Sequence, residues 1–190
     1  MGEQSVTVRR GVTDPARRRH ATAVLVGIIA GCIGAIVKFG WEVPFPPRTP
    51  ERNATNPPQA FAELLGVPPD ITHATYELSG NALPWFSFLM HFGFSIGFAV
   101  LYCVVAEQWP RIKLWQGVAY GLVVWIVWHW LLMPALGVVP PLWDQPPAEH
   151  ASELTGHAAW MWVIELTRRD LRNRLTHEPD AEVPLTSPFR

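Results

Sequence analysis

Charge is scarce in this chain. Only 16% of residues are Asp, Glu, Lys or Arg, against roughly 25% in soluble domains, and the net charge of −1 says nothing by itself about partners. Cysteine is nearly absent. The two present, Cys32 and Cys103, both fall inside apolar runs. That excludes a disulfide framework and zinc-type spacing, and both read as small buried hydrophobes. No nucleophile elbow, phosphate loop or metalloprotease helix is found, so an enzyme is the least supported reading. A nucleic-acid partner is not expected.

What the chain has instead is apolar length. Nearly half of it is hydrophobic, with ten Trp and 19 Pro in 190 residues. Residues 21–37 carry no charge, 83–106 contain His91 as their one readily titrated group, and 114–139 contain only His129. Each meets or approaches the roughly 20 residues that a helix needs to cross ~30 Å of hydrocarbon. A fourth segment, 149–167, is weaker, because Glu149, His150, Glu153 and His157 precede its apolar stretch. The expected architecture is an all-α, polytopic four-helix transmembrane bundle with spans at about 21–43, 83–106, 114–137 and 149–167.

The distribution of basic residues fixes the expected orientation. Arg9, Arg10, Arg17, Arg18 and Arg19 lie in the arm 1–20, Arg111 and Lys113 between the second and third spans, and Arg168, Arg169, Arg172, Arg174 and Arg190 in the tail 168–190. Cytoplasmic loops carry the excess of Lys and Arg, so both termini are expected in the cytoplasm and the fourth segment is expected to cross. Arg48 and Arg52 are the exceptions in the outer loops. Trp41, Trp85 and Trp143 fall at the outer boundary and Trp109 and Trp115 at the inner one, the depth indole favours. Trp125, Trp128, Trp130, Trp160 and Trp162 lie deeper and read as packing or lipid-facing bulk. Ile29-Ala30-Gly31-Cys32 resembles a lipoprotein cleavage box, but the sequence after it stays apolar and three more spans follow, which argues against cleavage.

The outer loop 44–82 holds eight prolines, which predicts a semi-rigid extended cap with one short helix near residues 59–65. Pro140-Pro141 and Pro146-Pro147 repeat this chemistry around Trp143 and Asp144. Small residues recur at four-residue spacing in every span: Ala23, Gly27, Gly31 and Ala35; Gly93 and Gly97; Gly117 and Gly121; Ala148, Ser152 and Gly156. In lipid such faces let helices approach closely. They predict a tight bundle, and a homo-oligomer is expected. The spacing leaves open which faces are internal and which join copies.

The feature that points to function is a polar layer. At ~1.5 Å per residue, Lys38, His91, His129 and His157 all fall roughly 8–12 Å below the outer ends of their spans. Glu149, Glu153 and His157 share one helical face, as do Ser87, His91 and Ser95. Lys38 lies on the small-residue face of its span, where Glu42 or Glu153 would pair with it. Ionisable groups within a membrane face protein or water and pair with one another. The candidate proton- or cation-binding set is therefore Lys38, Glu42, His91, His129, Glu153 and His157. As a metal site, His91, His129, His157 and Glu153 would offer three imidazoles and a carboxylate to a divalent ion. Haem held by facing His pairs is a weaker alternative.

Several stretches carry a resemblance: Lys38-Phe39-Gly40-Trp41-Glu42-Val43-Pro44 with Pro46-Pro47-Arg48, Tyr102-Cys103-Val104-Val105-Ala106-Glu107, and Ile112-Lys113-Leu114-Trp115-Gln116-Gly117. The closing run from Ser152-Glu153 through Gly156-His157 to Arg168-Arg169-Asp170-Leu171-Arg172-Asn173-Arg174 and Thr176-His177-Glu178-Pro179 adds to them. On these the chain resembles the YagU family of bacterial inner-membrane proteins. The resemblance places Lys38, Glu42, His91, Glu107, His129, Glu153, His157 and Glu165 at family-type positions, and His150 outside the pattern. It implies an inner-membrane location, a group without an assigned biochemical activity, and a loose link to acid tolerance. The outer loop is shorter than in enterobacterial members and lacks their cysteines.

Two functions follow as expectations: a membrane-embedded site for protons or a small cation, open to the periplasm, or a non-catalytic scaffold assembled through its small-residue faces.

Overall fold

The computed structural model describes residues 13–180; Arg9, Arg10 and Arg190 of the basic arm and tail lie outside them. Four long helices dominate: α1 (His20–Glu42), α4 (Trp85–Gln108), α5 (Val118–Ala135) and α6 (Pro147–Thr176). Three of these, α1, α4 and α5, are long and apolar enough to cross a membrane. Between α1 and α4 lie two short helices, α2 (Pro57–Leu64) and α3 (Pro69–Thr72), then strands β1 (Thr75–Leu78) and β2 (Asn81–Pro84).

The small residues set the packing. A Cβ on Gly27 would stand 2.6 Å from Val100 Cα, and one on Gly31 would stand 2.5 Å from Ile96 Cα. Helices α1 and α4 thus meet backbone to backbone and run antiparallel. Gly34 receives Ile164 and Trp160 of α6, and Gly121 of α5 lies against the His157 carbonyl of α6. Helix α1 packs on α4 and α6, and α5 packs on α6. The core between them is built from Val26, Ala30, Ala99, Tyr102, Trp160, Met161 and Ile164. Cys103 joins that core, whereas Cys32 is half-buried, and both are free thiols. Gly31 of the lipoprotein-like box is part of the α1–α4 contact. The outward side of α1 is apolar, with Leu25, Ile28, Ile33 and Ile36 exposed.

Four details depart from the sequence expectation. The outer loop is not only extended with one helix: β1 and β2 form an antiparallel hairpin with Leu78 opposite Asn81, so the chain is not purely α. Ser79 and Gly80, both at positive φ, make the two-residue turn that matches strand twist. Because Leu83 and Pro84 belong to β2, α4 begins at Trp85. The third span begins at Val118, not 114, because Trp115, Gln116 and Gly117 all adopt left-handed backbone. Helix α6 runs to Thr176, nine residues past the expected end of its span. No Gly or Pro interrupts it after Gly156, and His177 stops it in a left-handed conformation.

Candidate functional site

The centre of the site is the Glu153 carboxylate, on the inward face of α6. Lys38 Nζ of α1 lies 3.1 Å from Glu153 Oε2 and 2.5 Å from Glu42 Oε1, so the lysine bridges both carboxylates. Gly156 permits this, since a Cβ there would stand 3.1 Å from Lys38 Cδ and Cε. From α5, His129 Nε2 lies 3.8 Å from Glu153 Oε2. One turn along α6, His157 Nδ1 lies 3.7 Å from the same oxygen and 2.7 Å from the Glu153 backbone carbonyl. A carbonyl only accepts, so Nδ1 carries the proton and Nε2 the lone pair. The His129 and His157 rings meet edge to face with centroids 4.9 Å apart.

Two local features of α5 bring His129 here. Gly121, eight residues earlier, lets α5 touch the α6 backbone. From Ile126 to Leu132 the helix then widens to a π-helical form. Such stretches are rare and concentrate at functional sites. This one holds Trp128 and His129, both of which line a cavity of about 560 Å³. The cavity also touches Lys38, His91, Glu153 and His157, and its walls include Phe39, Phe94 and Trp160.

His91 is separate from the cluster. Its ring packs on Phe39 with centroids 4.1 Å apart, and its buried Nε2 has no hydrogen-bond partner. One ligand atom each from His129, Glu153 and His157 lies within 4.8 Å of the others. Of the four expected metal-binding residues, three are thus gathered, while His91 lines the same cavity outside the group. Its companion Ser95 is otherwise engaged, donating to the Gly31 carbonyl at 2.7 Å and accepting from Trp160 Nε1 at 2.8 Å.

Sequence reasoning missed the rim. Arg48 Nε lies 2.9 Å from Glu149 Oε1, and its Nη2 lies 3.3 Å from Glu153 Oε1; Arg52 Nη2 lies 2.7 Å from Glu149 Oε2. These two arginines are the exceptions to the basic bias of the loops, and that anomaly was the signal available. Ser152 Oγ donates to the Phe45 carbonyl at 2.5 Å, and Ser87 Oγ donates to Asn56 Oδ1 at 2.9 Å. The outer loop is thereby tied to both α6 and α4, over the cavity. His150 instead meets the Leu142 carbonyl, 3.1 Å from its Nε2.

A second ionic cluster occupies the opposite end of the bundle. Arg172 grips Glu107 with Nε and Nη2 at 2.5 and 3.1 Å, and Arg168 grips Glu165 at 2.5 and 2.9 Å. Asp180 pairs with Arg168 and, at 2.7 Å, with Lys113. Tyr102 donates to Glu165, and the Arg19 backbone N–H donates to Glu107 at the start of α1. Burial alone would raise the Asp180 carboxyl, but Arg168 and Lys113 outweigh it and hold it below the ordinary aspartate value. Burial and the nearby Arg168 push the Lys113 ammonium below its ordinary value, against the pull of Asp180.

A family model described as "Protein of unknown function (DUF1440)" matches residues 32–166. Among curated proteins, Inner membrane protein YagU of Escherichia coli strain K12 is 44% identical over 198 aligned residues, spanning 92% of this chain and 96% of that protein. The chain belongs to the YagU (DUF1440) family. The matched region contains Lys38, Arg48, His91, His129, Glu153 and His157, and it ends two residues short of Arg168. No solved structure matches the chain.

Proposed function

We propose that this chain is a four-span protein of the bacterial inner membrane that holds a site for protons or a small cation beneath its periplasmic surface. The relative's name and the three apolar helices support the inner-membrane location. The fourth crossing rests on how α6 distributes its polarity. Glu153, His157 and Glu165 are buried against the bundle, while Ala151, Leu154, Thr155 and Trp162 face outward. Charge buried in protein does not meet lipid. A hydropathy average over α6 therefore understates its fitness to span.

Orientation follows from the same count of basic residues as before. Arg17, Arg18 and Arg19, Arg111 and Lys113, and Arg168, Arg169, Arg172 and Arg174 belong to one end of the bundle. That end is the cytoplasmic one by the positive-inside rule, and the cavity opens at the other. Along α6, Glu153 and Arg172 are 19 residues apart, about 28 Å at 1.5 Å per residue. That is close to the thickness of the hydrocarbon core.

One observation carries the functional reading: a single buried carboxylate, Glu153, faces a lysine, an arginine and two imidazoles beside a cavity. The cluster lies beside the cavity, so external acid has proton-accepting groups to reach, in keeping with the loose link to acid tolerance that the family resemblance implies. In proteoliposomes given an external pH step, wild-type protein is expected to show proton or cation flux, or a conformational change. Glu153→Gln and His157→Ala are each expected to lose it. Variants that behave like wild type would count against the reading.

A second reading, a scaffold assembled through small-residue faces, is favoured by Gly93 and Gly97. Both lie four residues apart on α4 with nothing near a Cβ built on them. Gly27 and Gly31 are spent within the chain, so Gly93→Leu and Gly97→Leu are the variants that test assembly without breaking the fold.

A further inference from the structure

We infer that His129, Glu153 and His157 form a binding site for a transition-metal dication, and that Lys38 is the intramolecular cation such an ion must displace. The inference rests on the cation reading of this same layer and names the ion class.

The donor set selects the class. Two imidazoles and one carboxylate suit zinc and its first-row neighbours, whereas calcium and magnesium require mostly oxygen ligands. Ligands around one tetrahedral zinc stand about 3.4 Å apart, given metal–ligand bonds of about 2.0–2.2 Å. Here one ring nitrogen of each histidine and an oxygen of Glu153 lie within 4.8 Å of one another, so the three residues are gathered, and the site closes when the side chains turn to present their lone pairs. Metal-bound histidines commonly donate their other ring N–H to a carbonyl, which fixes the tautomer. His157 already does so through Nδ1 to the Glu153 carbonyl at 2.7 Å. The adjoining cavity supplies a route of entry and room for a further ligand.

The role of Lys38 follows from comparing distances. Lys38 Nζ is 3.1 Å from Glu153 but 2.5 Å from Glu42, and Arg48 is 3.3 Å from Glu153 but 2.9 Å from Glu149. Each cation has a nearer carboxylate to keep when it releases Glu153. Glu153 is the acid that both can surrender. Entry of a dication then requires Lys38 to withdraw onto Glu42 and Arg48 onto Glu149. Glu42 touches no candidate ligand, yet it governs affinity by giving Lys38 a place to go.

The variants therefore have opposite signs. Full-length protein purified in detergent is titrated with Zn²⁺ against a chelating dye. Co²⁺ absorption serves as a second readout of nitrogen ligation, and circular dichroism confirms the fold. Wild type is expected to bind one Zn²⁺. Lys38→Met should bind it tenfold or more tightly, and Glu42→Gln should bind it about tenfold more weakly. Glu153→Gln, His129→Ala and His157→Ala should abolish binding, while His91→Ala leaves it unchanged. Folded Lys38→Met protein that takes up no Zn²⁺ would overturn the inference, as would affinity unchanged by His129→Ala and His157→Ala. If Glu153-dependent proton flux persists while Lys38→Met binds no zinc, the metal inference fails and the proton reading stands. Zinc binding with these signs but no flux of any kind upholds the site and removes transport.

Discussion

The two ends of the bundle hold similar chemistry in different states of completion. At the basic end, Arg168 and Arg172 each hold a carboxylate through two nitrogens, and Asp180 and Lys113 close the group. Arg168 is only 1% exposed. At the cavity end, Lys38, Arg48 and Arg52 face Glu42, Glu149 and Glu153. There the contacts to Glu153 are longer, a lysine takes a place where the other end uses arginine, and two imidazoles stand beside it. A guanidinium fork fits a carboxylate rigidly, whereas an ammonium on a flexible stem is a movable point charge. On the reading proposed above, one cluster stays shut and the other rearranges. Buried charge becomes structural or functional according to how many of its bonds can be exchanged.

The largest test of this contrast is Arg168→Ala. It strips partners from Glu165 and Asp180 at once, and breaking a buried pair by removing one side costs about 3–5 kcal/mol. Thermal unfolding in detergent should fall accordingly, or the protein should fail to accumulate. Glu153→Gln should cost less, about 1–2 kcal/mol for a hydrogen-bonding change to charged partners, because Lys38 and Arg48 retain Glu42 and Glu149. Equal losses for the two variants would erase the distinction drawn between the clusters.

The smallest effect is that of pH on the closed end. The Asp180 carboxyl is held below its unfolded value, about 3.9, so it binds fewer protons folded than unfolded. Its contribution is present above that value and is lost as pH falls through the lower, folded one. Asp180→Asn should therefore lower the unfolding temperature at neutral pH and flatten its decline below about pH 4. A decline of the same slope in both proteins would remove Asp180 from the account.

Much of this was legible in the chain. Apolar run length located α1, α4 and α5, and the spacing of Glu149, Glu153 and His157 gave the inward face of α6. The alternatives offered for Lys38, Glu42 or Glu153, turned out to be joint. What escaped depends on backbone detail that a one-dimensional pattern does not carry. Left-handed Trp115 and Gln116 delay α5, and the π-helical turn that aims His129 has no composition of its own. The Ser79-Gly80 hairpin was obscured by the prolines before it. Arg168 and Arg172 were counted as part of the basic tail, because a count of charges does not reveal which are buried against acids, Arg168 against Glu165 and Asp180 and Arg172 against Glu107 of α4.

Helix α6 follows its partners along the chain, and that order has a consequence for biogenesis. Its outward side carries Leu154 and Trp162, but its inner side carries Glu153 and Glu165, which no bilayer welcomes alone. On the proposed topology, α1, α4 and α5 stand in the membrane when α6 is synthesised, and they and the outer loop offer Lys38, Tyr102 and Arg48 as ready counterparts. A rearranged gene that delivered α6 first would ask the insertion machinery to accept a helix before the groups that make it acceptable exist.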